Sequence, residues 1–133
     1  MFDLTQWSTE LVESYSHGMK QRLVMAAALV HAPRLLIVDE PMVGLDPHHA
    51  RALKDVLKEK SRQGMTIFIS THQLSVAEEM ADRIGIIHQG RLIAVGTSEE
   101  LRRQSGQDGA LEQSFLALTA DEAGFSGEKT VMR

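Results

Sequence analysis

Two adjacent carboxylates close a short apolar run in Leu35-Leu36-Ile37-Val38-Asp39-Glu40-Pro41. A run of this kind, bounded by turn residues, reads as a buried strand. Its end delivers Asp39 and Glu40 to the rim where open α/β sheets keep their ligands. Neighbouring acids there suit a metal–phosphate site, in which one holds Mg²⁺ and the other orients a water. An isolated Asp-Glu-Pro reads better as a strand ending in a charged, solvated turn, and the other motifs reverse that judgement. Tyr15-Ser16-His17-Gly18-Met19-Lys20-Gln21-Arg22 places a hydroxyl and a glycine at the mouth of a long helix. Free backbone N–H groups and the helix dipole favour an anion at such a mouth, although alone the segment is an ordinary capped helix. Gly44-Leu45-Asp46 follows the strand closely enough to lie near the same edge. Ser70-Thr71-His72 ends a second apolar run, which brings His72 within reach of the phosphate that Glu40 would serve. His31, His48, His49 and His88 have no such placement and read as structural or exposed.

The elements that position these groups follow from spacing and turn chemistry. Residues 2–13 carry Phe2, Leu4, Leu11 and Val12 among polar residues and predict a weak amphipathic helix. Ser16 is a favoured N-cap for a long helix with Leu23, Ala26, Ala27 and Val30 at helical spacing, stopping before Pro33. A strand spans 35–39. Asp46 as N-cap and Pro47 in the first helical position start a second helix, which runs to about Arg62 with Ala50, Leu53, Val56 and Leu57 on one face and Gly64 after its end. Residues 66–70 are β-branched and aromatic, a second strand. Strand, helix, strand in this order implies a parallel pair with a right-handed crossover. A further helix is expected over 74–81, then a hairpin of 84–87 and 92–95 turning at Gln89-Gly90. Thr97 or Ser98 caps a short helix through Arg103, and residues 105–109 form a linker. Residues 111–118 are weakly helical, and from residue 119 the chain is polar and frayed.

Composition sets outer limits. The 133 residues are enough for about one domain. Apolar residues make up 43% and charged residues 24%, so a core can be buried, and the net charge of −4 gives no support for a nucleic-acid or anionic-membrane surface. There is no cysteine, which rules out a disulfide framework and a cysteine-ligated zinc site. The longest apolar run, residues 23–30, is far short of the roughly 20 residues that span a bilayer. The first residues lack the basic region of a secretory signal, and the chain reads as cytosolic.

The four motifs, in this order, resemble the second half of an ABC-type ATPase domain, the nucleotide-binding subunit of ATP-driven transporters. Residues 15–22 are similar to its signature motif, 35–40 to its Walker B strand, 44–46 to its D-loop and His72 to its switch histidine. The match runs over about residues 15–98, and residues 111–118 resemble the C-terminal helix of exporter-type members. The signature departs from the commonest form: Tyr15 stands where Leu is usual, His17 where Gly is usual and Met19 where Gln is usual, whereas Ser16, Gly18, Gln21 and Arg22 fit.

The resemblance implies an α/β fold. It would be a partial P-loop NTPase of ABC type, with parallel strands, crossover helices, a C-terminal hairpin and a helix. Residues 1–33 would belong to the helical subdomain and 34–104 to the catalytic core, with 105–133 as linker, short helix and tail. It implies ATP and Mg²⁺ as cofactors, with Asp39 holding Mg²⁺ through water and Glu40 acting as general base. His72 would contact the γ-phosphate. Ser16 and Gly18 would contact the γ-phosphate of ATP bound mainly to the opposite subunit, and Asp46 would couple two subunits. The partners implied are a second ATPase subunit in a head-to-tail dimer and a transmembrane permease at the inner face of the cell membrane. No nucleic acid is expected.

One element of that family is missing. No Gly-x-x-x-x-Gly-Lys-Ser/Thr phosphate loop occurs in these residues, so the backbone cradle and the lysine for the phosphates are not supplied by them. The expectation is a truncated chain, with Met1 an alternative start, a fragment boundary or the start of a truncated gene, and no activity alone. Two alternatives differ in class: a non-catalytic remnant that pairs with a full ATPase subunit, and an ABC-type ATPase outside transport. The acidic balance and the lack of long heptad stretches weigh against the second. Residues 35–38 are apolar on both faces, as in central parallel strands, and predict an exposed edge and poor solubility for the chain alone.

Overall fold

Ser16 starts the first long element as the sequence predicts. In the computed structural model, which describes residue 2 and residues 4–124, its hydroxyl accepts from the Met19 backbone N–H at 3.3 Å and opens α1, His17–Val30. The chain divides into two compact units, Met1–His72 and Gln73–Arg133.

In the first unit, the segment before α1 is not the expected single helix but two 3-10 turns, Thr5–Trp7 and Val12–Ser14. Leu4, Trp7 and Leu11 do stand at helical spacing, so the apolar pattern does not account for the break. Ser14 instead donates its hydroxyl to the Leu11 carbonyl at 2.7 Å, a local bond that competes with helix. Tyr15 is buried and pins the segment by donating to the Trp7 carbonyl at 2.6 Å.

The buried face of α1 also differs from expectation: Met25 is buried, Leu23 and Ala26 are half-buried, and Ala27 and Val30 are exposed. Eight consecutive apolar residues have no polar side, so periodicity could not choose a face.

β1, Leu35–Asp39, and β2, Thr66–Ser70, pair in parallel with Leu36 opposite Ile67 and Asp39 opposite Ser70. They are joined through α2, Pro47–Arg62, which buries Leu53 and Leu57 and half-buries Ala50 and Val56, as its pattern requires. Gly64 follows α2 at φ +95°, where a side chain would be strained. The strand pair is covered on one face only. Leu36 is buried, whereas Leu35, Ile37 and Phe68, on the opposite face, are 54%, 68% and 61% exposed.

In the second unit, α3 spans Leu74–Met80, and β3, Ile84–His88, pairs antiparallel with β4, Arg91–Gly96. Gln89 at φ 48° and Gly90 at φ 77° make the two-residue turn, both left-handed as such a hairpin needs. Thr97 caps α4, Ser98–Ser105, in a reciprocal box with Glu100, and Gly106 closes it in the left-handed conformation. α5 runs Leu111–Gly124, past the expected end at 118; residues 125–133, the rest of the expected polar tail, lie outside the described residues. Ile84, Ile86, Ala94, Leu101 and Leu111 form the core, with Phe115 and Leu118 packed against it. Glu78 ties three helices of this unit together: its carboxylate accepts from Arg102, from the Ser98 hydroxyl at 3.4 Å and from the Leu111 N–H at 3.5 Å.

Candidate functional site

The parallel register ends both strands of the first unit at one rim. The Glu40 N–H donates to the Ser70 carbonyl at 2.9 Å and extends the ladder by one residue. Glu40 then turns the chain at φ 45°, a left-handed conformation that costs a non-glycine residue about 1–3 kcal/mol. The turn closes with the Val43 N–H on the Glu40 carbonyl at 3.1 Å, and Pro41 is buried beneath it.

Side chains converge on the rim. The His72 ring Nδ1 lies 2.6 Å from Glu40 Oε1, the same oxygen accepts from the His72 backbone N–H at 2.7 Å, and Thr71 Oγ1 donates to Oε2 at 2.9 Å. The Ser70 hydroxyl donates to Asp39 Oδ1. Partial desolvation pushes the Glu40 carboxyl up, but the bonds from His72 and Thr71, with the imidazole's charge, outweigh it and hold it below the ordinary carboxylate range. An ionised carboxylate at a strand end, with an imidazole beside it, can accept a proton from water or orient it. The His72 side chain is 76% exposed and free on its outer side to meet an anion.

A second group gathers where α1 begins. A pocket of about 330 Å³ is lined by residues that include Ser16, Gly18, Arg22, Asp46 and His49. Asp46 caps α2 as its position predicts: Oδ1 accepts from the N–H groups of His48 and His49 at 3.0 Å each, and Oδ2 lies 2.5 Å from His49 Nδ1. The His49 ring and N–H bonds lower the Asp46 carboxyl to about 2.

That shift has a consequence in acid. The folded value lies below the ordinary 3.8, so Asp46 contributes stability in full above that value and loses it as pH falls through about 2. Asp46→Asn keeps a capping acceptor without the titration. Its helix content, followed by circular dichroism of the chain, should fall less steeply than wild type between about pH 4 and 2. Superimposable acid curves would contradict this.

The sequence-derived residues therefore fall into two groups within the first unit: Asp39, Glu40 and His72 at the rim, and Ser16, Gly18 and Asp46 at the pocket. Among the described residues no cluster of three or more His, Asp or Glu side chains is arranged to hold a metal. His49, read from the sequence as structural or exposed, is structural: it grips Asp46 from the first turn of α2, a partner the sequence reading did not name. Its signal was position: a histidine three residues after an N-cap aspartate lies over that carboxylate.

This geometry sits in a recognisable class. A family profile described as "AAA domain, putative AbiEii toxin, Type IV TA system" matches residues 8–78. A solved structure of an "ATP binding subunit of ABC transporter" superposes with a TM-score of 0.76 at 39% identity, covering 80% of this chain and 45% of that one. A dimeric ATP-binding cassette in a post-hydrolysis state, bound to ADP and Pi, superposes with a TM-score of 0.65 at 24% identity over 70% of this chain and 40% of that one, a likeness of fold.

The linearmycin resistance ATP-binding protein LnrL of Bacillus subtilis is 40% identical over 115 residues, 86% of this chain and 37% of that protein. The chain belongs to the ABC transporter ATP-binding family, of P-loop NTPase fold, and spans less than half the length of these relatives. Among the described residues no helix is long and apolar enough to cross a membrane.

Proposed function

We propose that these residues are the catalytic C-terminal portion of an ATP-hydrolysing subunit that drives a transporter of the export type. The observation that carries this reading is the Glu40 carboxylate, ionised at a strand end and gripped by His72 and Thr71. Glu40 takes the proton of the attacking water or orients it. His72 turns outward to the γ-phosphate once one is bound. Asp39 fits a hard cation: Mg²⁺ is usually held by one or two carboxylates together with waters and substrate phosphates, and the Asp39 carboxylate with the Ser70 hydroxyl supplies oxygen donors of that kind. When bound, Mg²⁺ would neutralise charge on the phosphates.

Ser16 and Gly18 face ATP held mainly by an opposite subunit, and Asp46 joins the two subunits of a head-to-tail dimer. A transmembrane permease holds the assembly at the inner face of the cell membrane, and the resistance role in the relative's name supports export. The test is a chimera in which residues 15–98 replace the matching segment of that relative, so that a phosphate loop is present. The chimera should hydrolyse ATP, and one that folds and binds ATP without turning it over overturns the reading.

The 133-residue chain by itself should show no steady ATPase activity. Phosphoryl transfer is catalysed mostly by positioning and electrostatics, and no phosphate loop in these residues holds the substrate. A turnover abolished by Glu40→Gln in the purified chain would contradict this.

A second reading is favoured by one observation: the pocket at Ser16, Gly18 and Asp46 is lined by residues that all lie between positions 16 and 49. A non-catalytic chain could offer it to ATP held by a complete subunit. Mixing this chain with a complete subunit would then change that subunit's ATPase rate, and an unchanged rate removes the second reading.

A further inference from the structure

The loop that carries Asp46 is held to the start of α1 by an unusually close fit. Gly44 has φ +78°, and a Cβ built there would fall on the imidazole of His17, colliding with Cδ2 and lying 2.9 Å from Nε2. The ring therefore occupies the volume a side chain at position 44 would need. On the other side, a Cβ built on Gly18 would stand 2.8 Å from the Gly44 carbonyl oxygen, a backbone atom that cannot rotate away. Gly44 is thus held between the ring of His17 and the bare Cα of Gly18. Two residues further on, Asp46 is fixed by the first turn of α2. His17, Gly18, Gly44 and Asp46 all line the same pocket.

We propose that His17 is a positioning residue: its imidazole, seated on Gly44, sets the distance between the helix mouth of Ser16 and Gly18 and the loop of Asp46. A smaller residue at 17 leaves the Gly44 loop unsupported on that side, and the pocket loses a fixed width. Misplacement of a binding group by about 1 Å can cost as much as 100-fold in rate when the group acts in the transition state. ATP held mainly by a phosphate loop elsewhere would keep its affinity. The catalytic part of this proposal rests on the function proposed above, while the steric part does not.

The test uses the chimera with His17→Ala, Gly44→Ala, both together, and His17→Asn. His17→Ala should lower kcat about tenfold or more, with KM for ATP within about twofold and an unchanged thermal midpoint. Gly44→Ala should be more damaging, because it adds the collision to the strain of a left-handed alanine. In the double variant the collision is gone, so Gly44→Ala should cost less on the His17→Ala background than on wild type, in thermal midpoint as well as in kcat. His17→Asn, with a planar polar group of smaller reach, should retain more activity than His17→Ala.

Additive effects of the two substitutions, a raised KM with unchanged kcat, or a His17→Ala chimera equal to wild type would each overturn the proposal. If Gly44→Ala fails to fold, recovery of folding in the double variant supports it and continued failure overturns it. An unmodified chimera that folds and binds ATP but does not hydrolyse it counts instead against the function proposed above. The midpoint comparison still decides the steric part.

Discussion

Glu40→Gln in the chimera is expected to lower ATP hydrolysis by about 100-fold or more, the range a positioned general base contributes, with ATP still bound. The substitution preserves shape: its one oxygen still accepts from the His72 N–H, and its amide N–H can donate to Thr71 Oγ1, which then accepts instead of donating. It removes the negative charge that accepts or orients the water's proton. The bonds from His72 and Thr71 hold the Glu40 carboxyl below the ordinary range, and at neutral pH it is an anion, as an unperturbed carboxylate would be. Both His72 bonds fall on Oε1, whereas Oε2 accepts only from Thr71 and keeps a lone pair for the water. His72→Ala should also slow turnover, through loss of the phosphate contact rather than of the base. Steady-state turnover together with a nucleotide-binding measurement separates these effects. A Glu40→Gln chimera that keeps a tenth or more of the wild-type rate would remove Glu40 from the chemistry.

The second large effect concerns the uncovered face of the strand pair. Leu35, Ile37 and Phe68 form a continuous apolar strip, with Ile37 directly opposite Phe68 in the register. Burying side chains of this size is worth about 1.5–3 kcal/mol apiece, so two copies of the isolated chain gain substantially by meeting there. The purified chain is expected to self-associate at micromolar concentration, and Ile37→Thr with Phe68→Thr should shift it toward monomer. Threonine keeps the branched shape that strands favour. In the chimera the same pair of changes should lower the thermal midpoint, because central parallel strands of an α/β sheet are covered on both faces. Sedimentation of the chain and thermal unfolding of the chimera read the two signs. A monomeric wild-type chain at tens of micromolar would contradict the first, and an unchanged chimera midpoint the second.

How far the fold was legible depended on whether local chemistry spoke without help. Asp46 before Pro47 and Gln89-Gly90 between apolar runs each specify a backbone geometry and are found where expected, and of Thr97 and Ser98 the helix takes Thr97 as its cap. The two strands were legible because four apolar or β-branched residues stand between turn signals at each. The α1 face was not legible, because a helix apolar all round leaves the choice to its neighbours, which buried Met25.

The two 3-10 turns were missed because Ser14 satisfies a backbone group locally, a competition that apolar spacing does not reveal. At the site, parallel strand ends predicted the meeting of Glu40 and His72. The grip of His49 on Asp46 and the seat of His17 on Gly44 required three-dimensional placement.

The backbone at Glu40 carries a last consequence. Its left-handed turn is the conformation in which glycine rests without penalty and glutamate is held against its preference. Glycine there would relax the chain and leave the rim without its proton acceptor. Ala32 and Gln89 take similar angles, so the backbone alone assigns no role to position 40; the function proposed here gives a reason for an acid in a place that suits glycine.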